Sequence, residues 1–389
     1  MKRQALFIIL TIAITTSGCT HQESSYKVEK QEVHTLATEV ISTTQVSQSL
    51  FTFNSANYAI VSDFGSNLFG YIDETGTYTI IPQFISARSF SQNGLALVQD
   101  AKNQLYGYID KSGRYIIQPQ FMWASDFSSN GLAAVKDLTS ELWGYIDETG
   151  SFVIQPFSGS AGDFAENGLA AASVDSRENK YFGYIDRTGQ FVIEPQFMFA
   201  HQFSDDGLAV VSSPNNRAGY IDFSGDYVIE PQFLSARDFT QNGLAKVVDY
   251  DSKLDGYINH SGQYVIQPQF GSASDFSDSN IALVAMQGGK TCWYIDAKGN
   301  NIFGSEFFGG FNFTGLGLAV AIDDNYRVGF INEQGEYVIK PQFRNADSFS
   351  ENYLAPVMDY DTQMWGYIDE VGNLIVPYQF ASASKWYNF

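Results

Sequence analysis

The heptad GYIDETG stands at Gly70–Gly76 and again, letter for letter, at Gly144–Gly150. Near copies begin at Gly107, Gly183, Gly219 and Gly256 (GYIDKSG, GYIDRTG, GYIDFSG, GYINHSG), and more divergent ones at Trp293, Gly329 and Gly366 (WYIDAKG, GFINEQG, GYIDEVG). Successive starts among these nine are 36 to 39 residues apart. Such a period, sustained over about residues 58 to 380, confines the chain to tandem units that bury their apolar faces against one another. It overrides the two or three domains that 389 residues would otherwise suggest.

One unit is enough to read the local structure. In GLAAVKDLTSELWGYIDETGSFVIQP, the runs Leu132–Val135, LWGYID and SFVIQP are three short strands. Between the last two lies Asp147-Glu-Thr-Gly150, where the Asp side chain can accept backbone N–H groups two residues on and Gly150 can take the positive φ of a hairpin bulge. The heptad is therefore a strand running into its turn. In RYIIQPQF, Tyr115, Ile117, Pro119 and Phe121 share one face and Ile116, Gln118 and Gln120 the other, so one face is core and the other at least half wet. The proline of this strand recurs 12 residues after the heptad start in seven copies, and Pro377 falls 11 after Gly366. Lacking an N–H, it marks a strand end, a bulge or an edge. The connections MWASDFSSNG and LSARDFTQNG follow, with Ala124, Phe127, Ala236 and Phe239 as plugs into the core, and Asn-Gly turns the chain into the next unit.

Three strands in ~37 residues leave no room for helices. The expected fold is all-β, a tandem array of about nine three-stranded repeats. An open solenoid or superhelix is the first expectation, because the units run in phase with no strand left over to close a ring. A closed β-propeller is the alternative, for which three strands per unit fall short of the usual four.

The pattern resembles the WG repeat family of bacteria, whose unit reads roughly W-G-Y-I-D-x-x-G-x-F-V-I-x-P-x-F, then A-x-x-F and G-L-A. The family's Trp stands here only at Trp143 and Trp365; Phe69, Tyr106, Phe182, Ala218, Asp255, Cys292 and Val328 replace it elsewhere. The seventh copy, NNIFGSEFFGGFNFTGLG, lacks the proline and interrupts the array. The resemblance implies all-β binding modules and names no shared chemistry.

The N-terminus reads as an address. MKRQALFIILTIAITTSGCT has a basic start, an apolar Ala5–Ile14 too short to span a bilayer, and small residues before Cys19. Thr16-Ser17-Gly18-Cys19 resembles a bacterial lipobox, with Thr16 where an aliphatic residue is usual. That resemblance implies a signal peptide over 1–18, lipid attachment at Cys19 and anchoring through acyl chains. With Thr20 after the Cys, the envelope location it implies is the outer membrane if the cell is Gram-negative. Residues 19–50 read as a polar tether and 51–389 as the repeat domain.

Chemistry is sparse. The formal net charge of −21 repels phosphate backbones, so no nucleic-acid partner is expected. His21 and His34 lie in the tether, and His201 and His260 are two repeats apart, so no zinc spacing exists. Asp249, Asp251 and Asp255 in DYDSKLDG could be imagined around calcium, but the stretch reads as a solvated acidic hairpin. Cys292, left alone once Cys19 is lipidated, reads as a buried small hydrophobe. No catalytic residue, metal or cofactor is assigned. The expected protein is a membrane-anchored, non-catalytic envelope lipoprotein whose array binds protein or glycan. The alternatives are a polysaccharide-processing enzyme, needing a carboxylate pair in the seventh repeat, and a spacer with no specific ligand.

Overall fold

Each heptad builds the hairpin its residues imply. Asp147 Oδ1 accepts from the Thr149 N–H at 2.9 Å and the Ser151 N–H at 3.1 Å, and Gly150 sits at φ 83°. The computed structural model describes residues 57–175 and 180–387, of which all the regular elements are strands. The leader, Cys19 and the tether lie outside the described residues. Ser55–Phe389 is one compact unit.

The proline proves to be a bulge. Tyr106 pairs with Phe121 and Tyr108 with Ile117, so two extra residues are looped out around Pro119. The looped backbone presses onto the glycine of the heptad. A Cβ on Gly183 would lie 2.2 Å from the Ile193 carbonyl oxygen and 2.8 Å from Pro195 N. That approach explains why a glycine precedes the tyrosine in almost every copy.

The units contain one strand more than expected. The fifth sheet runs Phe199–Ala200, Ala209–Ser212, Ala218–Ile221 and Tyr227–Phe233, an antiparallel meander. Its first strand, Phe199–Ala200, opens the A-x-x-F connection, which the sequence reads as a loop. The connection crosses from the last strand of one sheet to the first of the next. In Tyr78–Phe90 and Tyr115–Ala124 it does so without a break, so one strand serves two sheets. The seventh sheet is short of its last strand: after Ser272–Ala273, Ala282–Ala285 and Cys292–Ile295 there are only isolated bridges, Cys292 to Phe307 and Ile295 to Asn301.

The array returns to its start. Tyr58–Asp63 pairs antiparallel with the end of Leu374–Tyr387, with Ala59 opposite Trp386 and Ser62 opposite Ser382. The chain's last residues thus supply the first strand of the first sheet. Other contacts repeat across this junction unchanged. The turn glycine Gly150 faces Ile117 of the preceding unit, and Gly76 faces Val376 of the ninth. No sheet curls into a barrel: one open 13-stranded sheet runs through the ninth, first, second and third units, the others hold three or four strands each, and the succession of these blades closes. Of the two arrangements considered for the all-β array, end-to-end pairing is the feature of the propeller alternative. An open array would leave both edges unpaired.

Small apolar cores sit between successive blades. The one containing Leu97, Tyr108, Ile117 and Phe121 also takes in Ala124, Phe127, Val135 and Ile146 from the next blade. Ala124, Phe127 and Ala236 are buried as plugs, with Phe239 packed against the same layer. The tyrosine of all but one heptad adds a polar tie. Tyr108 donates its hydroxyl to the Ser125 carbonyl at 2.7 Å, and Tyr367 reaches Ser384 at 2.9 Å across the closing junction. Eight tyrosines make this bond to the first strand of the following blade. The eighth copy has Phe330 in that place, so the Asp347 carbonyl receives no hydroxyl from it. Tyr108→Phe is expected to lower stability by about 1–2 kcal/mol by orphaning a buried carbonyl. Chemical denaturation checks this, with Phe330→Tyr, which adds the missing tie, expected to shift the midpoint upward.

Candidate functional site

The segments between the Ala and Phe plugs, at the first strand of each blade, converge on a shared cleft, and their side chains range from half-buried to exposed. Two places after the alanine position stand Ser89, Asp126, Asp163, Gln202, Asp238, Asp275, Asn312, Ser348 and Lys385, one per blade. None of them was singled out from sequence. The polar pair inside each A-x-x-F was the available signal, obscured because the segment was read as a surface loop.

Electrostatics on this wall are uneven. Arg88 Nη1 lies 3.1 Å from Asp126 Oδ2 of the next blade. Burial raises the Asp126 pKa, the Arg88 guanidinium opposes the rise, and Asp163 adds to it. Asp238 is likewise raised by burial, against the pull of His201, whose own pKa burial lowers. The hairpin carboxylates behave oppositely. The Thr149 hydroxyl, helped by backbone N–H groups, holds Asp147 below the usual carboxylate range, and Ser224 does the same for Asp222. Those carboxylates are committed to their own turns.

Two clefts open on the wall. One, of about 570 Å³, is bounded by Ser274 and Leu283 of the seventh blade, Gly310–Thr314 of the eighth, Asp347–Phe349 of the ninth and Lys385 of the closing strand. Contact with four successive blades places it inside the ring. The other, of about 270 Å³, lies among Phe199, Ala200, His201, Gln202 and Asp238.

The residues weighed from sequence fall apart in space. Asp249 accepts from Asp251, Ser252 and Tyr264 around its own hairpin, whereas Asp255 is buried and accepts from the Ala273 N–H at 2.7 Å. His260 stacks on Phe239 with ring centroids 4.0 Å apart and reaches Asp206 at 3.2 Å, away from His201 beside Phe199. Cys292 is buried, and burial pushes its thiol up to about 11. In the seventh unit, Asp296 accepts from Lys298 and Asn300, and Glu306 from the Thr291 hydroxyl. Among the described residues, no group of three or more His, Cys, Asp or Glu is placed to hold a metal.

Eight segments match the WG containing repeat: 69–103, 106–137, 143–181, 182–213, 219–251, 256–290, 329–361 and 365–388. The chain belongs to the WG containing repeat family. The gap in the WG match, 291–328, is where the seventh blade lacks its last strand. No curated protein matches the sequence. Among solved structures, the crystal structure of the eukaryotic initiation factor superposes with a TM-score of 0.58 at 10% identity, over 86% of this chain and 98% of that one. Dihydro-heme d1 dehydrogenase NirN in complex with DHE gives 0.47 at 12% identity, over 87% and 76%. BamB from Moraxella catarrhalis gives 0.40 at 10% identity, over 71% and 96%. The first likeness is one of fold alone.

Proposed function

We propose that this WG containing repeat protein is a non-catalytic scaffold, tethered to the cell envelope by lipid on Cys19, that holds a protein or glycan partner on its ring. In a Gram-negative cell its place would be the outer membrane. The observation that carries this reading is the distribution of exposed aromatic side chains. Phe64, Tyr326 and Tyr360 project from hairpins between the second and third strands. Trp123, Phe199 and Phe308 stand where the first strand begins, opposite the ends of those second strands. The antiparallel register therefore puts these six toward one face of the ring, with Phe223, Tyr227, Tyr337 and Tyr353 toward the other. Rigid aromatics spread over one face are what partner recognition uses. The repeat-wide Asp and Tyr, by contrast, are spent on turns and ties.

Two experiments test the reading. Cys19→Ser is expected to shift the protein from the detergent phase to the aqueous phase, or to leave an unprocessed precursor. A processed Cys19→Ser product that still partitions with detergent would rule out the anchor. The soluble Cys19→Ser chain is also expected to retain an envelope protein or glycan, and to lose it when Phe64, Tyr326 and Tyr360 are replaced together by alanine. Reproducible turnover of peptidoglycan, capsule or peptide that disappears with one carboxylate would make the protein an enzyme instead.

A further inference from the structure

We infer that the larger inner cleft, at blades seven to nine and the closing strand, is a carbohydrate-binding site for a neutral or N-acetylated sugar unit. The inference rests on the scaffold reading and gives it a specific pocket.

The size is right for one or two sugar rings, since small-ligand clefts run from about 300 to 1,000 Å³ and this one is about 570 Å³. Its walls combine one apolar platform with scattered polar groups. Phe311 keeps 45% of its surface exposed, while Phe313 and Phe349 behind it are buried in the core. A flat ring held at the edge of a polar cleft stacks on the C–H face of a pyranose. Asn312 donates its Nδ2 to the Asp275 carbonyl at 2.8 Å, which fixes the amide and leaves its buried Oδ1 without a hydrogen-bond partner. A fixed acceptor of this kind is satisfied by a hydroxyl or acetamido N–H. Asp347 and Lys385 line the same cleft from different blades with no ion pair between them. They offer an acceptor and a donor to vicinal hydroxyls.

The same walls argue against other ligands. A peptide would gain little by adding a strand, because the first strands here are two residues each: Ser272–Ala273, Gly309–Gly310 and Asn345–Ala346. A phosphate ester would meet one ammonium, Lys385, beside the Asp347 carboxylate in a chain of net charge −21.

The test titrates the full-length Cys19→Ser protein with di-N-acetylchitobiose and with cellobiose, read by saturation-transfer NMR and calorimetry. Binding of at least one disaccharide is expected. Phe311→Ala is expected to weaken it roughly tenfold or more through loss of stacking, and Lys385→Gln to weaken it to a lesser extent. Phe223→Ala, at an exposed hairpin on the opposite face, is expected to leave it unchanged. Near-native circular dichroism of both cleft variants separates lost binding from lost folding, and Lys385→Gln serves alone if Phe311→Ala fails to fold. Absence of binding to both sugars at millimolar concentration overturns the inference, as does binding indifferent to both cleft substitutions. A Phe311-dependent response to an unstructured peptide, with none to either sugar, also overturns it. If an envelope partner is still retained by the Phe311→Ala protein while both sugars fail, the cleft assignment falls and the scaffold reading stands.

Discussion

Removing residues 382–389 is expected to abolish the single cooperative unfolding transition of the repeat domain. The residues of this segment up to Tyr387 form the first strand of the first blade, and their loss unpairs Tyr58–Asp63 along one edge. The Ser384 hydroxyl that accepts from the Ile60 N–H at 3.0 Å goes with it, as does the Ser384 carbonyl that ties Tyr367. Trp386 is buried against Tyr367, with ring centroids 5.1 Å apart, and its backbone N–H donates to Ser350 Oγ at 2.8 Å. Truncating a buried Trp to alanine costs about 3–5 kcal/mol, against total stabilities of about 5–15 kcal/mol. Trp386→Ala alone should therefore bring the protein close to its unfolding threshold. Because Trp386 Nε1 has no hydrogen-bond partner, Trp386→Phe should cost far less. Urea unfolding followed by tryptophan fluorescence and circular dichroism reads all three. A truncated chain that unfolds at the original midpoint with the original slope would show that the last strand closes nothing.

Glycine substitution gives the second large effect, and two positions separate its causes. Gly183→Ala drives a methyl to 2.2 Å from a backbone oxygen of the proline bulge, where no flexible side chain can yield. The expected cost is about 3 kcal/mol, the upper end for overpacking, with damage inside the fourth blade. Gly150→Val acts differently: a β-branched residue at φ 83° costs about 1–3 kcal/mol of backbone strain. Its Cβ would also lie 3.0 Å from Ile117 Cγ2 in the preceding blade. Hydrogen exchange is expected to rise in the second and third blades for Gly150→Val, and mainly in the fourth for Gly183→Ala. Uniform loosening of all nine blades by either change would contradict the contact pattern between neighbours.

The local chemistry of this fold was legible in the letters because it is local. Asp147, Thr149 and Gly150 satisfy one another within five residues, so the heptad states its own turn. Ala124 and Phe127 could be placed in the core for the same reason, by spacing alone. Closure was not legible, because it joins Ser62 to a residue 320 positions away and depends on how much each blade rotates from the last. A trace of it is nevertheless present. ASASKW at the C-terminus is another A-x-x-F connection with Trp386 in place of Phe, an opening strand whose blade begins at Tyr58. Reading that connection as a loop hid both the fourth strand and the ring. It hid the inner wall as well: Asn312 and Lys385 come together only when blades eight and one share a centre. Tyrosine rather than phenylalanine in eight of nine heptads was a sign of a hydroxyl in use, but its acceptor, 17 residues on, belongs to the next blade.

The closed ring is tested most directly at its junction. Ser62 Oγ and Ser382 Oγ lie 2.7 Å apart in paired strands, so a Ser62→Cys, Ser382→Cys double substitution places two thiols at disulfide-forming distance. Mild oxidation of the 55–389 domain at high dilution, followed by non-reducing digestion and mass spectrometry, should recover one cross-linked peptide joining these positions within a single chain. An open array would hold them at opposite ends. Free thiols, or cross-links formed only between chains, would contradict the ring.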